Sequence, residues 1–516
     1  MFKLLKKKTA LCGLILLFAL ATALTACGGT GSKATDGARE KPDNTAGSNA
    51  AQPTKVTIMS HFFGAAPPDA NGEVQKKIEE ATNTELDIQW VSANSYNDKL
   101  NVTLASGNIP DLITIDDPFS PVFRNAVEHG AFWDITPYYK DYPNLISGIS
   151  ETAWELTKMQ DGKNYGIPRP RPSEGDAFFV VRKDWLDQAG LKIPTTSDEL
   201  YEAMKAFKAT GKDHIGFTGY FNAADMGSFG PFEGIFTGAN GFWKANGDQL
   251  EFTAFLPEEK EALQYLANAY NDGLLPADVA SLQLSQMKDI YKSGKAGMIV
   301  DKTGTAKDYY SVMEQNDPNL NKLDAFYPIT SINNYNPKGP GFAGISAIPK
   351  SVPEDKMKKI LAMVNTWMNP EVFAYQKWGI EGRDYKVENG VKVQIADNYQ
   401  KDALGEYNQI VYVSDQYAST SKDYFPEDMQ KLYKQVQDDR ANSSVADVSI
   451  GLYSQTAQTY LPEIQKNMQD LKVKIILGAQ PISAWDSFVD KLKNDEHMKQ
   501  IIKEMNEAYK ARTSNK

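Results

Sequence analysis

The chain is 516 residues long, too long for one hydrophobic core, and its 41% hydrophobic and 23% charged content is that of a soluble globular protein of two or more domains. Its formal charge of −11 becomes −15 on loss of the first 26 residues with their four lysines, which argues against nucleic acid as a partner. Cys12 and Cys27 are the two cysteines, so the chain beyond residue 27 has no disulfide and no thiol for metal binding or catalysis.

Lys3, Lys6, Lys7 and Lys8 precede an apolar run over residues 11–24, which closes in Leu24, Thr25, Ala26 and Cys27. That is the layout of an export signal ending in a lipobox, with residues 1–26 removed and Cys27 acylated as the new first residue. The run is shorter than the ~20 residues that span a bilayer. Residues 27–53 are small and polar, with little to bury, and read as a flexible tether.

In residues 55–60, Val56 and Ile58 alternate with Thr57 and Met59, predicting a strand that ends at His61, Phe62 and Phe63. A helix over 73–81, a strand over 86–91, a helix over 96–106 stopped by Gly107 and a strand over 112–115 follow; the last ends in Asp116 and Asp117. Strands alternating with helices imply a mostly parallel sheet covered on both faces. Ligands of such sheets sit beyond the carboxyl ends of the strands, which makes His61, Phe62, Phe63, Asp116 and Asp117 candidate contacts.

Pro168, Pro170 and Pro172 exclude helix or central strand over 167–173, so this stretch, which carries Arg169 and Arg171, reads as a connector between two bodies. A strand over 177–181 follows, then an amphipathic turn stopped by Gly190. Thr196 and Glu199 have capping-box spacing ahead of a helix marked by Leu200, Met204 and Phe207. After a strand over 215–220, residues 221–243 mix glycines with Phe221, Phe229, Phe232, Phe236, Phe242 and Trp243. Glycines admit close backbone approach and flat rings suit the C–H faces of pyranoses, so Phe229 and Trp243 are candidate stacking partners, with Trp243 the more exposed; packing inside a core is the alternative for each ring. Strands are expected over 297–300, ending at Asp301, over 324–329, and over 344–348, with a core-facing helix over 357–368. Residues 375–385 bring Trp378, Glu381 and Arg383 together as a stacking face and two hydroxyl-binding groups, or as a structural ion pair. The remainder is predominantly helical.

Several of these segments resemble bacterial extracellular solute-binding proteins of the family that includes the maltose-binding protein, in particular its Gram-positive lipoprotein branch. Residues 184–200 fit the family's "DWL…AGL..PTT.DEL" element after its first hinge crossing, and "ASGNIPDLITID" over 105–116 resembles its "SGD.PDL" segment. "YQKWGIEGRDY" over 375–385 resembles a segment of the lipoprotein branch where the third crossing is expected, and 478–489 fits its "G..P...WD.FV" ending. The resemblance implies an α/β, two-lobed periplasmic-binding-protein-like fold, each lobe a mostly parallel sheet flanked by helices. The expected lobes are 54–170 with 326–385, and 171–325 with 386–516.

Signals for catalysis are weak. Gly339, Gly341 and Gly344 satisfy GxGxxG, but Pro340 interrupts the loop and the sequence continues into a strand, leaving no helix terminus for a phosphate. GxSxG, P-loop and HExxH motifs are absent, and the four histidines are scattered. The connection over 209–214 has too few oxygen ligands for the calcium loop found in some relatives. The expectation is a non-enzymatic monomer without cofactor or metal, lipid-anchored at Cys27 on the outer face of the cell membrane. It would capture a carbohydrate between its lobes and deliver it to the permease subunits of an ABC transporter. A secreted polysaccharide-active enzyme, a peptide-binding protein and a sensory lipoprotein are the alternatives.

Overall fold

The computed structural model describes residues 52–514 except 65, 175–176, 223–224, 389, 416 and 418–425. The signal, Cys27 and nearly all of the expected tether lie outside the described residues. The strands are β1 (Thr54–Phe62), β2 (Thr84–Ser92), β3 (Leu112–Ile115), β4 (Ile167–Pro170), β5 (Phe178–Val181), β6 (Ile215–Thr218), β7 (Trp243–Asn246), β8 (Gln249–Phe252), β9 (Ala296–Asp301), β10 (Tyr327–Pro328), β11 (Asn336–Lys338), β12 (Phe342–Ala347), β13 (Tyr385–Glu388), β14 (Val391–Gln394) and β15 (Ser444–Ala446).

Two sheets organise the molecule. The first has the order β2-β1-β3-β12-β4, the second β10-β5-β9-β6. In the first, β12 is antiparallel to both its neighbours, and the other four strands run the same way. In the second, β5 plays that part. Each reversed strand is the one by which the chain enters its sheet from the other body, so both sheets are mixed, where mostly parallel ones were expected: the remaining strands share a direction, but half or more of the pairings are antiparallel.

Alternation along the strands buries both faces of each sheet. Val56, Ile58 and Leu112 pack on one side of the first sheet, while Met59, Ile113 and Ile115 meet Tyr96, Leu100 and Phe123 on the other. In β5, Phe179 and Val181 face one core and Phe178 and Val180 another. Among the described residues no core cluster contains strands of both sheets, which makes the body two-lobed.

Two features of the sequence find their reasons here. Pro168 and Pro170 lie in β4, an edge strand, where a missing N–H is tolerated. Gly344, the last glycine of the GxGxxG pattern, has φ +78 at an irregularity in β12, and a Cβ there would lie 2.2 Å from the Ile115 carbonyl oxygen. It serves close strand packing rather than phosphate binding.

Among the described residues, two crossing segments, 171–174 and 336–341, run side by side between the lobes, and β15 of the second lobe lies along the latter. Gly339 N donates to Ser173 O at 2.8 Å, Arg171 N donates to Gly341 O at 2.9 Å, β11 pairs with β15, and Ser444 Oγ donates to the buried Glu174 at 2.9 Å. Two expected boundaries shift. Residues 326–335 stay with the second lobe, because Phe326, Ile329, Ile332 and Tyr335 are buried in its cores, and the chain returns to the first lobe through 336–341. The chain also does not leave the first lobe at 385: Leu404, Tyr407, Ile410 and Val411 complete that lobe's core, and the next core residue of the second lobe is Met429. The helices Glu427–Arg440, Gln455–Ile476, Ser483–Asn494 and Glu496–Ser514 then pack on the second lobe.

Candidate functional site

The carboxyl ends of the first sheet's strands bring together residues far apart in sequence. β1 delivers His61, Phe62 and Phe63, β3 delivers Asp116, and β4 supplies Arg169 from the sheet edge. Arg169 is buried, and its Nη2 donates to Asp116 Oδ1 at 2.7 Å. Burial pulls its guanidinium down to about 10 although the Asp116 carboxylate opposes that. His61 is also buried; its Nδ1 lies 3.4 Å from Asp116 Oδ2, and its ring packs edge-on against Phe63 and Tyr96. Burial holds its pKa below the ordinary value, so it is neutral at pH 7.

The centre of the cluster is a residue that sequence reasoning missed. Gln409 Oε1 lies 3.2 Å from His61 Nε2 and accepts from Arg169 Nη1 at 3.3 Å, while its backbone carbonyl accepts from Arg169 Nη1 at 3.0 Å and Ser60 Oγ at 3.3 Å. Glu406, three residues before it, accepts from the backbone N–H groups of Phe63 and Gly64 and so fixes the loop that carries Phe63. Phe63 is 70% exposed, unusual for so large an apolar ring and suited to stacking on a ligand. Arg171 lies with its guanidinium 4.6 Å from the ring centre of Tyr412, a second residue missed in sequence. Burial raises the Tyr412 hydroxyl, while the charges of Arg171 and, just past β9 of the second lobe, Lys302 act to lower it.

The other candidates fall elsewhere. Asp117 Oδ1 accepts from Phe119 N and shapes its own turn, so the adjacent carboxylates have different partners. Phe229 is fully buried among Phe217, Phe221 and Phe232, and Trp243 is 3% exposed against Phe252, so neither offers a ring face; the second lobe's core has absorbed them. Asp301 is engaged by Lys288 and by the Tyr309 hydroxyl. Arg383 ties Glu73, Asp384 and Asp402 together instead of pairing with Glu381, while Trp378 packs near Tyr385 and Lys392. Among the described residues, no group of three or more His, Cys, Asp or Glu side chains is placed to hold a metal ion.

Two lobes joined by crossings that lie side by side, with a polar cluster and an exposed ring at the strand ends of one, define the architecture of a protein that traps a ligand between its lobes. The chain belongs to the bacterial extracellular solute-binding proteins, whose family pattern matches residues 67–372. It is 30% identical, over 96% of its length and 98% of the relative's, to the polygalacturonan/rhamnogalacturonan-binding protein YtcQ of Bacillus subtilis. It is 29% identical to lipoprotein LipO of the same organism, over 90% of this chain and 94% of that one. In fold it matches an HMO-binding, ABC-transporter-associated solute-binding protein from Bifidobacterium longum infantis, with a TM-score of 0.67, 19% identity and coverage of 89% and 99%. The alginate-binding protein AlgQ2 gives a TM-score of 0.67 at 17% identity, with coverage of 89% and 98%.

Proposed function

We propose that this protein captures an oligosaccharide between its two lobes outside the cell and passes it, unaltered, to the permease subunits of an ABC transporter. The lobes are 54–170 with 342–413, and 177–335 with 426–514. A lipid on Cys27 holds the monomer at the membrane. The observation that carries the reading is the His61–Asp116–Arg169–Gln409 cluster beside the exposed ring of Phe63: charged and amide groups already fixed by one another, next to a flat apolar face. This combination meets the two faces of a sugar, its hydroxyl edge and its C–H surface. The carbohydrate ligands in the names of YtcQ and of the alginate-binding protein AlgQ2 support it. Capture without cleavage is supported by the relatives, which are named as binding proteins.

The test is a thermal-shift screen of the body from Thr54 onward against saccharides and peptides, with the ligand recovered and analysed. A saccharide that raises the melting temperature and returns intact is the expected result, because a ligand of the folded state must stabilise it. Cleaved product, or stabilisation by peptides alone, would overturn the proposal.

A further inference from the structure

The second lobe contains a cavity of about 290 Å³, lined by the glycine-bearing segment after β6 and by three helices, Gly230–Thr237, Pro257–Asn271 and Gln455–Ile476. Ala177 and Asp225 line it from the ligand end of the second sheet: Ala177 precedes Phe178, which pairs with Asp301 at the end of β9, and Asp225 lies in the loop after β6. Glu233, Glu259 and Lys472 also line it. Lys472 and Glu259 are almost completely buried, and Lys472 Nζ donates to Glu233 Oε1 at 2.6 Å and to Glu259 Oε1. Two carboxyl groups thus share one ammonium. Burial and the neighbouring Glu259 push Glu233 up to about 8, so at neutral pH it holds a proton and presents an O–H as well as acceptor oxygens. Phe242 adds a ring to the wall.

Resting on the carbohydrate reading above, we propose that this cavity is a subsite for one uncharged sugar ring at an end of the captured chain, with Glu233 as its hydroxyl-binding group and carboxylated rings excluded. Ligand pockets begin at about 300 Å³, so this one has room for a single ring rather than an oligosaccharide. A ring carboxylate placed here would give up its water and find the one ammonium, Lys472, already engaged by Glu259 and Glu233, so its burial would go uncompensated. The opposite holds on the first lobe, where Arg171 adds positive charge. A chain that combines carboxylated and neutral rings would satisfy both walls.

Gly230 provides the test. It lines the cavity in an ordinary helical conformation with φ −53, and a Cβ there meets no atom within 4 Å, so the side chain of Gly230→Leu starts into open space. Calorimetric titrations of the body from Thr54 onward would use galactotriose, trigalacturonate and a rhamnogalacturonan tetrasaccharide, in which neutral and carboxylated rings alternate. Wild type is expected to bind one of the two ligands with neutral rings at least about tenfold more tightly than trigalacturonate, and Gly230→Leu to erase that preference. Glu233→Gln, which keeps the shape but lacks the carboxyl group, is expected to weaken the neutral-ring ligand and decides the matter if Gly230→Leu does not fold. Trigalacturonate binding as tightly as the others, or a folded Gly230→Leu with unchanged affinities, overturns the subsite while leaving carbohydrate capture intact. Failure of wild type to bind any saccharide in the thermal-shift screen or in these titrations would remove both.

Discussion

The Glu233 carboxyl makes the stability of the molecule depend on pH in a calculable way. Its folded value, about 8, is raised above the ordinary 4.5 by burial and by Glu259. A carboxyl raised on folding contributes stability that is complete below about pH 4.5 and is lost as pH climbs towards 8, because the unfolded chain releases the proton first. Within that window the slope is about 1.4 kcal/mol per pH unit, or roughly 4 kcal/mol between pH 5 and 8. A body of about 460 residues has an unfolding entropy near 1 kcal/mol/K, so this corresponds to about 4 °C in melting temperature if the body melts as one unit. Glu233→Gln has no such proton to lose. Melting scans of the two proteins from pH 5 to 8 should show the variant gaining on wild type by about that amount, whatever their offset at pH 5. Titrating groups other than its partners Glu259 and Lys472 are common to both and cancel in the difference. Parallel profiles would refute the buried, proton-holding state of Glu233.

Further outcomes follow from the same structure. Arg169→Met removes the guanidinium that holds Asp116 and Gln409 in place, and should lower ligand affinity about tenfold or more in titrations, since hydrogen bonds to a charged group are worth about 1.5–3 kcal/mol. Phe63→Ala removes an exposed ring, so it should leave the melting temperature within about 1 °C while weakening saccharide binding about five- to tenfold. Trp243→Ala should do the reverse, with a loss of about 3–5 kcal/mol in denaturant unfolding and unchanged affinity. Cys27→Ser, which removes the lipidation site, should move the protein from the membrane fraction to the medium, as a fractionation blot would register.

What the sequence made legible was local or tied to a general rule. The capping box of Thr196 and Glu199 forms as its spacing predicts, because both partners lie within one helical turn. His61 and Asp116 meet because both stand at carboxyl ends of parallel strands, and Arg169 joins them because its prolines force it to the sheet edge. Gln409 and Tyr412 escaped because their role depends on contacts with residues some 240 to 350 positions away, and no motif marks them. The one available signal was the apolar spacing of Leu404, Tyr407, Ile410 and Val411, which marks a buried element and would have kept this segment in the first lobe. Phe229 and Trp243 were misjudged for a related reason. Composition does not distinguish a ring that lines a cleft from one that fills a core, and the glycines between them turned out to line the second-lobe cavity instead.

Hydrogen exchange of the body from Thr54 onward, with and without a saturating oligosaccharide, tests the central claim most directly. Trapping between lobes predicts slowed exchange at residues 61–63 and 406–412 of the first lobe and, in the same sample, at 225–227 and 239–242 of the second. Protection confined to one lobe, or no change with a saccharide that binds, would contradict the account.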